Sequence, residues 1–140
     1  IVALSLATII AEGCGQAGSA ETDVRSSHVA LLTMMYMSCE VSAPRGRVLS
    51  EEQFRDYIQN IQQPTLDKAG VTIDEVFVSK RDGQPITVLY GKAAADPRNS
   101  GIVVFEQLGV DGIRLVGNRS GATLEMGEQE FNASFRSLKE

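Results

Sequence analysis

Residues 76–91 read VFVSKRDGQPITVLYG. Residues 76–79 and 86–90 read as short strands, the second rich in β-branched and aromatic residues. Between them stands a polar corner. Asp82-Gly83 supplies the backbone freedom that a hairpin turn requires. Pro85 falls at the start of the second strand, where its missing N–H does little harm. Arg81, Asp82 and Gly83 therefore read as a structural turn, not a binding site. Replacing Arg81 with Ala is expected to change stability little. Replacing Gly83 with Val is expected to matter more, because the turn uses the freedom of glycine. The order Arg-Asp-Gly differs from the adhesion order Arg-Gly-Asp, so cell-surface adhesion gains no support.

Downstream the pattern repeats. Residues 102–106 and 113–116 read as strands separated by GVDG at 109–112, where Asp111 and Gly112 supply a second structural turn. NRSGA turns the chain again and 123–126 can form a further short strand. EQEFNASFRSLK closes as a helix with Phe131, Phe135 and Leu138 on one side. Short connections pair neighbours, so the sheet is expected to be antiparallel.

Upstream the period changes to that of helices. Val24, His28, Leu31, Leu32, Met35, Tyr36 and Cys39 recur at spacings of three and four, the core face of a helix over 22–40. Met34 and Met37 widen that face, as suits a helix covered by a sheet or one that also meets a partner. Pro44 and Gly46 then break the pattern, and 42–49 reads as a loop carrying Arg45 and Arg47. In SEEQFRDYIQNIQ, Ser50 is placed to cap a second helix and Gln53 to return the bond, a capping box. Glu51 and Glu52 suit the positive end of that helix. They are adjacent and share no face, so capping explains them better than acid–base chemistry. Pro64 should end this helix near Gln63. QPTLDKAGVTIDE reads as an irregular connector, and GKAAADPRNSG as a polar loop whose 92–101 portion is a candidate contact surface. The expected fold is α+β. N-terminal amphipathic helices pack on a four- to five-stranded antiparallel meander, and a short C-terminal helix closes it.

The chain has 140 residues, enough for one domain, expected over 22–140, that buries roughly two-thirds of its unfolded surface. Its formal net charge of -5 gives it no electrostatic reason to approach nucleic acid or an anionic membrane face. The first residue is Ile, so further residues are expected before it. Residues 1–10 are apolar or small, about half the length of a bilayer span, and fit the central part of a secretory signal. Small residues, Cys14 and a Gly/Ala/Ser stretch follow, which resembles the end of a bacterial lipoprotein signal. Residues 1–21 are then a signal remnant and leader. Cys14 is the candidate lipidation site, and the membrane is a partner through that lipid. The alternative is an N-terminal helix over 1–14 that anchors or packs. Export to the periplasm or outer envelope follows from the first reading. Cys14 and Cys39 could also form a disulfide; a small buried apolar role for Cys39 is preferred, since no basic cluster adjoins it in sequence.

The chain contains no phosphate loop, dinucleotide fingerprint, zinc spacing or nucleophile elbow. The single histidine, His28, falls on the apolar stripe of a helix, where a satisfied core histidine is the usual finding. Asp74, Glu75, Asp82, Asp96, Glu106 and Asp111 fall mostly at turns, which favour Asp for local bonding. Asn118 and Asn132 begin glycosylation patterns that matter only in a eukaryotic secretory route. No catalytic residue, metal ligand or cofactor site is expected, and the chain is expected not to be an enzyme.

PRGRVLSEEQF (44–54), SKRDGQPITVLYG (79–91) and VVFEQLGVDGIRLVGNRSG (103–121) together resemble small exported bacterial proteins of lipoprotein type. These combine a helix pair with a meander that carries an Arg-Asp-Gly-x-Pro turn. The resemblance spans residues 28–135 and implies fold and export; it brings no catalytic residue. A looser likeness is to pilin and pseudopilin-like proteins, which set a long N-terminal helix against a meander. The Glu five residues into a long apolar helix, which the pilin signal needs, is absent here. The leading expectation is thus a lipid-anchored envelope protein, a structural or interaction module whose partner is another envelope protein. A pilin-like component of a surface assembly is the second reading. A small periplasmic ligand-binding domain or enzyme is the third; it needs a pocket with convergent polar groups, and an exposed His28 beside carboxylates would revive it.

Overall fold

The computed structural model describes residues 24–135. Helix α1 spans His28–Ser42, α2 Glu51–Ile61, α3 Gln63–Ala69 and α4 the single turn Ile73–Val76. Strand β1 is Ile86–Val88, followed by α5 at Gly91–Ala95 and a 3-10 turn at Pro97–Asn99. Strands β2 (Ile102–Glu106), β3 (Ile113–Asn118) and β4 (Thr123–Gly127) lead into α6, Glu128–Phe135. The four strands form one antiparallel sheet in chain order, β1-β2-β3-β4.

The apolar stripe of α1 lies on this sheet, with Leu32, Met35 and Tyr36 fully buried. Each contributes about 1.5–3 kcal/mol through loss of apolar surface from water. Phe54 of α2 fills the angle between helix and sheet, edge-on to Tyr36 at 5.5 Å and to Phe77 at 6.0 Å. Gly117 of β3 sets the depth of the contact. A Cβ there would stand 1.8 Å from Thr33 Oγ1, so only glycine lets the helix seat. The opposite sheet face carries a smaller core, in which Phe105 meets Phe131 and Phe135 of α6 at 5.0 and 5.1 Å.

Several expectations are corrected. Residues 76–79 form no strand: Val76 ends α4, and Val78 makes a lone bridge to Pro85. The sheet among the described residues therefore has four strands, the lower of the four to five expected. The connector over 63–75 is helical. Pro64 sits in the first turn of α3, where its absent N–H has no partner to lose, so it opens a helix as readily as it stops one. Thr72 and Glu75 exchange both bonds of a capping box and start α4. The segment 92–101 is not a free loop: Ala94 and Asn99 are buried, and the Asn99 amide donates to Ala93 O at 2.7 Å. Helix α1 starts at His28, later than the stripe implied. Ser27 caps it by accepting from Ala30 N at 3.1 Å. Residues 1–21, with Cys14, and Leu138 lie outside the described residues.

Candidate functional site

The corner between α4 and β1 is built into the sheet. Ser79 and Arg81 both reach Glu106, at the end of β2, whose side chain is 1% exposed. The Ser79 hydroxyl donates to Glu106 Oε1 at 2.7 Å, and Leu115 N donates to Oε2 at 2.8 Å. Arg81 Nη1 lies 3.6 Å from Oε2, and its Nη2 donates to Ile113 O at 3.2 Å. A buried carboxylate must be paired and hydrogen-bonded to persist, and this one has two donors and a cation. Arg81 is therefore more than a turn residue: it neutralises a buried charge contributed by another element.

Asp82 and Gly83 do form the turn. Gly83 adopts φ 69, and Asp82 Oδ1 accepts from Gln84 N at 2.9 Å. Asp82 Oδ2 also accepts from Gly109 N at 3.1 Å, which ties this corner to the turn holding Asp111 and Gly112. The two turns thus share one end of the sheet. Asp111 and Gly112 both lie in the left-handed region, at φ 52 and 76. At the start of α2, Ser50 Oγ accepts from Gln53 N at 3.1 Å. The return bond from Gln53 goes one residue further upstream than a capping box requires, with Oε1 accepting from Leu49 N at 2.8 Å.

His28 stands where α1 meets this corner. It is 5% exposed, and its Nδ1 lies 2.5 Å from Val78 O. A carbonyl only accepts, so Nδ1 carries the proton and Nε2 of the neutral ring presents a lone pair. Nε2 is buried and has no hydrogen-bond partner among the described residues. An unpaired buried polar atom forfeits about 1–3 kcal/mol, so its persistence calls for a reason. His28 lines a cavity of about 270 Å³ between the start of α1, the corner and the sheet, together with Ser79, Lys80, Arg81, Glu106 and Glu125. A more open groove of about 600 Å³ adjoins it on the side of Gly70, Asp74 and Val78, again with His28 and Lys80 in its wall. Glu125 faces the cavity because it pairs with Leu115 across β3 and β4, and paired residues point to the same face.

Two other polar groups lie deeper. Cys39 is a free, buried thiol, pushed up to about 11 by burial and then by the charge of Glu40. Burial likewise raises Tyr36 to about 12, its hydroxyl donating to Leu89 O at 2.9 Å. Neither lines the cavity. No cluster of three or more His, Cys, Asp or Glu residues suited to a metal ion occurs among the described residues. No helix among them is long and apolar enough to cross a membrane.

Sequence reasoning found His28 but placed it as a satisfied core residue; its second nitrogen is unsatisfied. It missed Ser79, Glu106 and Glu125 as neighbours of His28, since only the strand register brings them there. Comparison of the chain with protein families, curated proteins and solved structures gave no match.

Proposed function

We propose that the chain is an exported binding module that receives a small polar molecule in the cavity at His28. One observation carries this reading: His28, whose imidazole is buried and locked through Nδ1, lines a preformed cavity together with charged side chains. A preformed concavity with a few convergent polar groups is the usual form of a ligand site. The volume of about 270 Å³ equals that of about nine liquid waters, the scale of a single small metabolite. The sequence by itself ranks a structural envelope module first. The cavity and its charged lining favour the small-ligand reading over it.

Binding, not catalysis, is the role that fits. No hydroxyl, thiol or carboxylate among the described residues bonds to Nε2 to form a nucleophile–base pair. Ser79 directs its proton to Glu106 instead. Export and tethering through a lipid on Cys14 rest on the signal-like sequence of residues 1–21. The test is a ligand-observed NMR screen of small polar fragments against the protein and its His28→Asn variant. Asn can keep a donor near Val78 O but lacks Nε2. Fragments that bind the parent and lose binding in H28N support the proposal. A screen without binders, or binders indifferent to H28N, refutes it.

A further inference from the structure

The cavity carries two uncommitted charges of opposite sign. Lys80 and Glu125 both line it, and neither makes an ion pair among the described residues, with each other or with any other group. The remaining charges there are matched, since Arg81 faces Glu106. The wall thus offers one uncommitted cation and one uncommitted anion beside the ring of His28. We propose that the occupant is a zwitterion of amino-acid size: its carboxylate faces Lys80, its ammonium faces Glu125, and its body lies against His28 and Leu115. The two charges recognise opposite ends of one molecule, so a simple amine or a simple acid satisfies only half of the wall. This inference rests on the proposed binding role and adds the ligand class to it.

The experiment titrates the folded protein with individual free L-amino acids and follows backbone amide shifts at Lys80, Arg81 and Glu125. L-Serine is compared with ethanolamine and 3-hydroxypropionate, which each lack one charged end. The expected result is saturable binding of one or more amino acids, with each single-charge analogue weaker by roughly tenfold or more. Lys80 and Glu125 are exposed, so Lys80→Met and Glu125→Gln should fold normally. Each should weaken binding roughly two- to fivefold, as an exposed charge contact does. Analogues that bind as well as the parent compound, or variants that bind unchanged, overturn the proposal. If amino acids cause no shifts while fragments still bind through His28, the ligand class is wrong and the binding role stands. If neither binds, both fall.

Discussion

Replacing Arg81 with Ala separates a turn residue from a charge partner. As a turn residue Arg81 would be dispensable. In the fold its guanidinium stands 3.6 Å from the carboxylate of Glu106, which is 1% exposed. Removing one partner of a fully buried pair costs about 3–5 kcal/mol. The Arg81 side chain is 27% exposed, so water screens part of that interaction. Ser79 and Leu115 would still bond the carboxylate. The expected loss is therefore about 1.5–3 kcal/mol. Gly83→Val meets no neighbouring atom, so its cost is the left-handed backbone alone, about 1–2 kcal/mol. The two variants should thus be comparably unstable, against the sequence-based expectation that Arg81→Ala is nearly silent. Urea unfolding followed by circular dichroism measures both, with a midpoint drop of about 1 M for R81A. A double-mutant cycle with Glu106→Gln should give a coupling of about 1 kcal/mol or more. An R81A variant within about 0.5 kcal/mol of the parent would refute the argument and return Arg81 to the role of a corner.

Three further outcomes follow from the packing and the buried groups. Gly117→Ala should destabilise by about 3 kcal/mol or more, because its Cβ would overlap Thr33; adding Thr33→Ala should recover part of the loss in the same urea assay, and a silent G117A would mean that α1 does not seat on β3. In a Cys14→Ser background, Cys39 should react with a thiol reagent far more slowly in the native state than in denaturant, since burial holds the thiol at about 11; equal rates would contradict the buried placement. The hydroxyl of Tyr36 is raised from 10.0 to about 12, so the stability it contributes is complete below pH 10 and is lost as pH rises toward 12. Alkaline unfolding of the parent should fall within that window and be less steep in Tyr36→Phe, and a parent whose stability is level from pH 10 to 12 would contradict the shift.

The meander was legible because its turns are chemically explicit. Asp-Gly at 82–83 and 111–112 needs little besides local backbone preference to be read. The stripe of α1 was legible for the same local reason, since a period of 3.6 survives without knowledge of the partner. Pro64 misled because proline is compatible with a helix start as well as a stop, and Thr72-x-x-Glu75 is short enough to pass for turn chemistry. The run 76–79 has strand composition, but Val76 and Phe77 are buried against helices and only Val78 makes a bridge. Tertiary packing overrode propensity there. The site was hidden for a different reason. His28 and Val78 are fifty residues apart, and Ser79 and Glu106 twenty-seven. Only the register of β2, β3 and β4 brings Glu106, Leu115 and Glu125 to one side of the sheet. Nothing local to any of these residues announces that arrangement.

The central claim is that His28 keeps a proton on Nδ1 and that its ring lines a ligand cavity. The chain has one histidine, so labelling histidine with ¹⁵N gives ring signals that need no assignment. The account predicts, at a pH where the ring is neutral, a protonated Nδ1 and an unprotonated Nε2, with the Nε2 resonance moving when a binding fragment or amino acid is added. A ring protonated on Nε2 in its neutral form, or an Nε2 signal unmoved by every compound that binds, would contradict it.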